Sequence, residues 1–107
     1  MWTASGGANY AGKPRPVVIV QDDAFDLTES VTICGLTTGV TEALIFRLAI
    51  EPTVGNGLKA ESRLMVDKIT TVSRSKLGKR LGELDSAQMV QINRAIAVFL
   101  GLTGSAR

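Results

Sequence analysis

Arg15 is the side chain of this sequence best placed to bind an anion. It stands between Pro14 and Pro16, and four β-branched residues follow in the run 17–20. Proline fixes its own φ and drives the preceding residue to extended backbone, so Arg15 is expected on stiff chain at the start of a strand. A guanidinium mounted in this way suits a phosphate or a carboxylate. A solubilising arginine at a strand end explains the same pattern, and the local sequence leaves both interpretations open.

Thr37 and Thr38 form a second candidate group, at the end of the β-rich run 31–37. Neighbouring strands could bring these hydroxyls close to Arg15. An arginine beside a threonine offers charge neutralisation and a hydrogen bond to one phosphodiester oxygen. Ordinary turn chemistry accounts equally for two threonines at a strand end, and the local pattern alone favours it.

The other reactive side chains indicate structural roles. Asp22 and Asp23 are adjacent, and adjacent strand residues face opposite sides, so solvated acids in a turn are expected in preference to a metal site or a base. Cys34 lies in an apolar run and is expected to be buried. The sequence has one Cys and no His. An internal disulfide is therefore excluded, a structural zinc site is not expected, and the usual general base of enzymes is missing.

Size and composition predict one globular domain over residues 1–107. Hydrophobic residues make up 45% and charged residues 21% of the chain, which is ordinary for a domain with a real core. No run approaches the roughly 20 apolar residues of a membrane span, and the N-terminus has no signal-peptide pattern. The expected location is the cytoplasm.

Charge is unevenly distributed although the net charge is only +2. Residues 22–58 carry six acidic and one basic residue, whereas residues 59–80 carry seven basic and two acidic residues. Such a basic segment is commonly a solvated face, and it is also what a phosphate-binding surface requires. We expect the segment to help hold a nucleic acid.

Hydrophobic periodicity predicts a mainly β chain that ends in one helix. Strands are expected at 2–4, 15–21, 31–37, 44–50, 62–67, 70–72 and 77–84, after a glycine-rich loop at 5–12 and around an acidic turn at 22–30. Asp85 is the predicted helix N-cap, with Gln88 at the capping-box position. An apolar stripe follows, and Gly101 ends the helix; the stripe consists of Met89, Ile92, Ile96 and Phe99. The predicted class is α+β, a small barrel or strongly curved sheet with the helix packed against it.

Five blocks in order resemble the MazF/PemK family of toxin endoribonucleases from bacterial toxin–antitoxin pairs. Residues 12–21 are similar to the family's Gly-x-x-Arg-Pro-hydrophobic strand, and residues 31–38 to its strand that ends in hydrophobic-Thr-Thr. Residues 62–72, residues 77–84 and the closing helix with Gly101-Leu102 also fit. Together the blocks cover nearly the whole chain.

This resemblance implies an SH3-like barrel of the CcdB/PemK/MazF type, a homodimer, and cleavage of single-stranded RNA at short sequences without a metal or another cofactor. The RNA's own 2′-hydroxyl would be the nucleophile, which leaves a cyclic phosphate. The resemblance also implies an antitoxin whose disordered segment covers the RNA groove.

By matching motif, Arg15 takes the place of the catalytic arginine and Thr37 that of the catalytic threonine. Arg15 would neutralise charge on the scissile phosphate and assist proton transfer, and Thr37 would hold a phosphate oxygen. We expect RNA contacts from six further residues: Tyr10, Lys13, Thr38, Lys68, Lys79 and Arg80.

The chain departs from the family pattern at several positions, and these bear on cleavage specificity. The opening Arg-Gly-acid triplet is absent, Tyr10-Ala11 replaces a common Glu-Gln, Gly35 replaces a frequent proline, and Lys68 replaces a frequent glutamine. One alternative is a CcdB-like gyrase poison, which acts through a tryptophan near the end of its last helix; residues 99–107 contain none. A barrel that binds RNA without cutting it is the other alternative.

Overall fold

Residues 1–5, 14–38, 47–102 and 104 are described by a computed structural model, in which they form seven strands and one α-helix. The elements are β1 (Trp2–Ala4), β2 (Arg15–Ile19), β3 (Ser30–Thr37), β4 (Ala49–Ile50), β5 (Ser62–Leu64), β6 (Thr70–Ser73), β7 (Leu77–Arg80) and α1 (Ser86–Phe99). Short 3-10 helices occupy Asp23–Phe25, Val66–Lys68 and Arg74–Lys76. Within these described ranges, no helix has both the length and the apolar character of a membrane span.

All strand pairs are antiparallel, and β3 is the centre of the sheet. The strands follow the order β4-β5-β3-β2-β1-β7, and β6 also pairs with β3. β3 therefore contacts β2 along one edge, and β5 and β6 along the other. The predicted α+β class is confirmed. Over the described residues, however, the strand pairs form an open sheet and not the closed barrel that was one of the expected forms.

The run 17–20 is covered on both faces where it pairs with β3. Val17 is fully buried and Val18 is 3% exposed, although consecutive strand residues point to opposite faces. Val18 and Cys34 belong to the cluster that packs beneath α1, whereas Val17 and Ile33 belong to a second cluster on the other face. This double burial fixes β2 and β3 rigidly against each other.

Helix α1 begins as predicted. The Asp85 carboxylate accepts a hydrogen bond from the Gln88 backbone N–H at 2.7 Å, and the Gln88 amide oxygen accepts from the Asp85 N–H. Ile92 is fully buried, with Met89 and Ile96 packed against the same cluster. Phe99, the fourth residue of the predicted stripe, is 43% exposed. The predicted stripe is therefore packed against the core from Met89 to Ile96 and is partly exposed at Phe99.

Gly101 ends α1 in the predicted way. Its φ is +73°, a conformation that glycine adopts without steric cost. The Gly101 N–H donates to the Val98 carbonyl oxygen, and the Leu102 N–H donates to the Ala97 carbonyl oxygen at 2.8 Å. This pair of bonds is the Schellman arrangement, which satisfies carbonyl groups that the helix leaves unpaired.

Several predicted strands are shorter in the structure. β5 stops at Leu64, because the chain turns into a 3-10 helix in which the Lys68 N–H donates to the Met65 carbonyl oxygen. β7 stops at Arg80, because residues 81–84 pack against the 53–57 loop; the Glu83 N–H donates to the Gly55 carbonyl oxygen at 2.8 Å. Of the predicted strand 44–50, only Ala49–Ile50 is a strand among the described residues, and 44–46 lie outside them.

Candidate active site

Arg15 and Thr37 lie at neighbouring ends of β2 and β3. The register of these strands pairs Val17 with Gly35 and Val18 with Cys34, and the same register continued by two residues places Arg15 opposite Thr37. Pro16 lies between, and because proline has no N–H the ladder cannot continue its full set of hydrogen bonds there. Directly opposed residues of an antiparallel pair have Cα atoms about 5 Å apart and share a face. The sheet therefore brings the two predicted catalytic residues together.

The neighbouring strands extend this pair into one cross-strand row. Ala4 of β1 is paired with Arg15, and Arg63 of β5 is paired with Thr37. The row continues outward on both sides, to Ala49 of β4 and to Leu77 of β7. Because opposed residues share a face, Arg15 and Arg63 flank Thr37 on the same side of the sheet.

The surroundings of Arg15 favour an anionic ligand. Its side chain is half-buried, and its Nε is a buried donor with no hydrogen-bond partner among the described residues. A buried donor without a partner costs free energy, more so in a charged group. A phosphate oxygen would satisfy this donor and balance the charge.

The strand that carries Thr37 is held firmly against β5. The Met65 N–H donates to the Gly35 carbonyl oxygen at 2.9 Å, and the Cys34 thiol donates to the Met65 carbonyl oxygen at 3.1 Å. Burial raises the pKa of Cys34 to about 12, with a smaller contribution from the Asp67 carboxylate. Cys34 is thus a buried packing residue, as predicted, and it is a neutral thiol at physiological pH.

An ion pair joins Arg47, two residues before β4, to Asp67 in the 3-10 helix after β5. The Arg47 guanidinium donates to both carboxylate oxygens of Asp67, at 3.1 and 2.9 Å. This hydrogen bonding lowers the pKa of Asp67, and the Arg47 charge adds to the effect. Arg63 Nη1 in turn donates to the Arg47 carbonyl oxygen at 3.2 Å. Arg47 is therefore neutralised, whereas Arg63 has no ion pair in the described part of the chain.

Four of the six predicted RNA contacts lie among the described residues, and these four are dispersed over the sheet and its connections. Thr38 is exposed directly after β3, and Lys68 is exposed at the end of its 3-10 helix. Lys79 and Arg80 are exposed on β7, an edge strand separated from β2 by β1. Tyr10 and Lys13 lie outside the described residues. Of the six, only Thr38 directly follows a residue of the cross-strand row.

Arg80 lies in a more acidic setting than Arg15. Its Nη2 is 3.8 Å from a carboxylate oxygen of Glu83, and both residues line a cavity of about 480 Å³ beside the far end of β2. Asp22 and Asp23 line the same cavity, and both are exposed, as the prediction of solvated turn acids required. Among the described residues, three carboxylates therefore line the cavity beside Arg80: Asp22, Asp23 and Glu83.

Arg63 is the site residue that sequence reasoning missed. In the sequence it is one of seven basic residues in 59–80, and nothing local separates it from Arg74. In the structure the two arginines lie at opposite ends of β3. Arg63 is paired with Thr37, the last residue of β3, whereas Arg74 Nε donates to the carbonyl oxygen of Thr28, which precedes the first residue of β3. Ser62 and Leu64 are buried on either side of Arg63, as in a strand with one buried face. Which residue Arg63 pairs with, however, depends on the register between strands, and the sequence does not reveal that register.

Comparison with known proteins shows the family to which the chain is similar. Residues 2–100 match the family model of the PemK-like, MazF-like toxin of type II toxin–antitoxin systems. A curated protein of Mycolicibacterium smegmatis, named probable endoribonuclease MazF, is 51% identical over 104 residues, which cover 97% of this chain and 95% of that protein. A Staphylococcus epidermidis protein named endoribonuclease MazF is 29% identical over 93 residues, or 85% of this chain and 77% of that protein.

Solved structures show the same fold. A mycobacterial endoribonuclease in complex with its cognate antitoxin superimposes with a TM-score of 0.73 at 30% identity, covering 94% of this chain and 87% of that one. Mycobacterium tuberculosis toxin MazF-mt6 superimposes with a TM-score of 0.75 over 94% of this chain and 97% of that one, and at 22% identity it supports the fold alone. The family predicted from the sequence blocks is confirmed: the chain belongs to the MazF/PemK family of toxins of type II toxin–antitoxin systems.

Proposed function

We propose that the chain is the endoribonuclease of a toxin–antitoxin pair and cleaves single-stranded RNA at the end of β2 and β3. The observation that carries this proposal is a buried Arg15 donor that has no partner among the described residues, and the β2–β3 register supports it because, continued by two residues, it sets Arg15 opposite Thr37. Two curated relatives are named endoribonucleases, which supports the same reaction class.

In the proposed mechanism, the RNA's 2′-oxygen attacks the adjacent phosphorus. The bond from phosphorus to the 5′-oxygen of the next nucleotide breaks, so the products are a 2′,3′-cyclic phosphate and a 5′-hydroxyl. Arg15 stabilises the charge that develops on the phosphate oxygens and assists proton transfer, and the Thr37 hydroxyl fixes one of those oxygens. Positioning and charge stabilisation supply much of the rate enhancement, which suits a chain without histidine.

The proposed partners are a second copy of the chain, a cognate antitoxin and single-stranded RNA, and the proposed location is the cytoplasm. Apolar side chains are exposed around the C-terminal end of α1, where a protein partner would cover them; they are Val98, Phe99, Leu100 and Leu102. The solved endoribonuclease–antitoxin complex supports an antitoxin as one partner.

The test is incubation of the purified chain with a long single-stranded RNA, in parallel samples with and without EDTA. We expect cleavage in both samples and a cyclic phosphate at the new 3′ ends. RNA that is bound but intact would instead support a binding protein without nuclease activity, and cleavage abolished by EDTA would contradict the metal-independent mechanism.

A further inference from the structure

We infer that Arg63 is a second phosphate-binding residue, which holds the RNA on the side of Thr37 away from Arg15. This inference rests on the proposed nuclease function and extends it to a residue that is not among the predicted catalytic or RNA-binding residues. The observation behind it is the pairing of Thr37 in β3 with Arg63 in β5. On the other side of β3, the β2–β3 register continued by two residues sets Arg15 opposite Thr37.

The spacing of the row suits one RNA strand with several phosphates. Neighbouring strands of a sheet lie about 4.8 Å apart, so the Cα atoms of Arg15 and Arg63 are about 10 Å apart with Thr37 midway. Each arginine carries a long side chain with planar donors. An RNA strand that crosses the row with its scissile phosphate at Thr37 therefore has a neighbouring phosphate near Arg63.

The contacts of Arg63 leave it ready to bind an anion. One donor, Nη1, is held by the Arg47 carbonyl oxygen at 3.2 Å, which orients the guanidinium and lowers the entropy lost on binding. Arginine has five donors in all, so most remain available. The nearest carboxylate of this network, Asp67, is already bound by both donors of Arg47. The Arg63 guanidinium is thus oriented by a hydrogen bond and partly shielded from water, and no carboxylate among the described residues forms an ion pair with it.

Arg74 provides a matched control. It belongs to the same basic segment, is half-buried, and donates through Nε to a backbone carbonyl oxygen, that of Thr28, at 2.8 Å. It lies next to the first residue of β3, whereas Arg63 lies at the last one. Seven residues of strand separate these ends, about 23 Å. Arg74→Gln removes the same charge and the same kind of hydrogen bond far from the row.

The first measurement is the salt dependence of RNA binding, made in an Arg15→Ala background so that the RNA stays intact. Arg63→Gln is expected to reduce the slope of log affinity against log salt by about 0.7, the value for one phosphate contact on a single strand. Arg74→Gln is expected to leave the slope unchanged. Arg63→Lys should restore the slope, because the charge remains.

The second measurement is single-turnover cleavage with Arg15 intact. Arg63→Gln is expected to lower kcat/KM by roughly 10- to 100-fold, the effect of losing a charge-assisted hydrogen bond. Arg63→Lys should recover part of this loss, since an ammonium cannot bind two phosphate oxygens as a planar fork does. Urea unfolding of each variant measures any loss of stability, which by itself leaves the salt slope unchanged.

The outcomes separate this inference from the function on which it rests. If the wild type cuts RNA, Arg15→Ala does not, and Arg63→Gln matches Arg74→Gln in salt slope and kcat/KM, then Arg63 has only a structural role and the inference is wrong. If the wild type does not cut RNA at all, the proposed function itself is wrong.

Discussion

At the residue scale, the site is a short row of side chains whose chemistry is set by what the sheet places beside each one. Arg15 and Arg47 are both arginines at strand ends, but Arg47 is neutralised by Asp67 and Arg15 has a buried donor without a partner among the described residues. The resemblance of two sequence blocks to the family's motifs selected Arg15 and Thr37 as candidates, and their catalytic roles stay predictions. Arg63 could not be selected, because its position beside Thr37 depends on β3–β5 register.

The Arg47–Asp67 ion pair predicts a specific dependence of stability on pH. The pKa of Asp67 is lowered in the folded chain, so its ionised form stabilises the fold above the unfolded pKa of about 3.9, and this contribution is lost as pH falls through the folded pKa. Asp67→Asn should lower the free energy of unfolding by roughly 1–3 kcal/mol at pH 7. The difference from wild type should narrow as the pH approaches 3.

Urea unfolding at pH 7 and at pH 3 checks this expectation. Asp26→Asn is the control, because Asp26 is an exposed acid without an ion pair in the described part of the chain. A wild-type advantage over Asp67→Asn that is equally large at both pH values would show that the ion pair is not its source.

At the element scale, the presence of each element was easier to predict than its boundaries. The capping box at Asp85 and the left-handed Gly101 are local signals, and both ends of α1 lie where they indicated. β7 ends four residues early because Gly82 packs against the backbone of Gly55 and Asn56, where any side chain would collide. That close approach joins two segments that are far apart in the sequence, so the hydrophobic periodicity within either segment does not indicate it.

The helix cap gives a prediction at this scale. Asp85→Ala removes the acceptor for the Gln88 N–H and should lower the free energy of unfolding by about 1 kcal/mol. Ser86→Ala, one residue later in the first turn, is the control and should change stability much less. Equal urea midpoints for wild type and Asp85→Ala would refute a stabilising cap.

At the scale of the whole molecule, the sheet holds the site at the ends of two strands that are buried on both faces, and it leaves apolar surface exposed at one end of the helix. Val98 is 64% and Leu102 is 73% exposed, and neither contributes to the core clusters. The described strands form an open sheet, whereas the sequence left a closed barrel and a strongly curved sheet as alternatives. Closure depends on long-range strand pairing, which composition cannot specify.

We expect the chain to form a two-fold symmetric homodimer, in which the same surface of each copy meets the other. Light scattering at micromolar concentration should give the mass of two chains. A monomer under these conditions would contradict the dimer.

The central claim is that Arg15 carries the RNA cleavage chemistry, and single-turnover cleavage of a long RNA by Arg15→Ala tests it most directly. Removing a positioned charge from a transition state costs on the order of a hundred- to thousand-fold in rate, and Arg15→Lys should recover only part of that loss. Circular dichroism should show an unchanged fold, because the strand core is built by residues such as Val17 and Val18, and Arg74→Gln should cut at the wild-type rate. A folded Arg15→Ala protein that also cuts RNA at the wild-type rate would contradict the assignment.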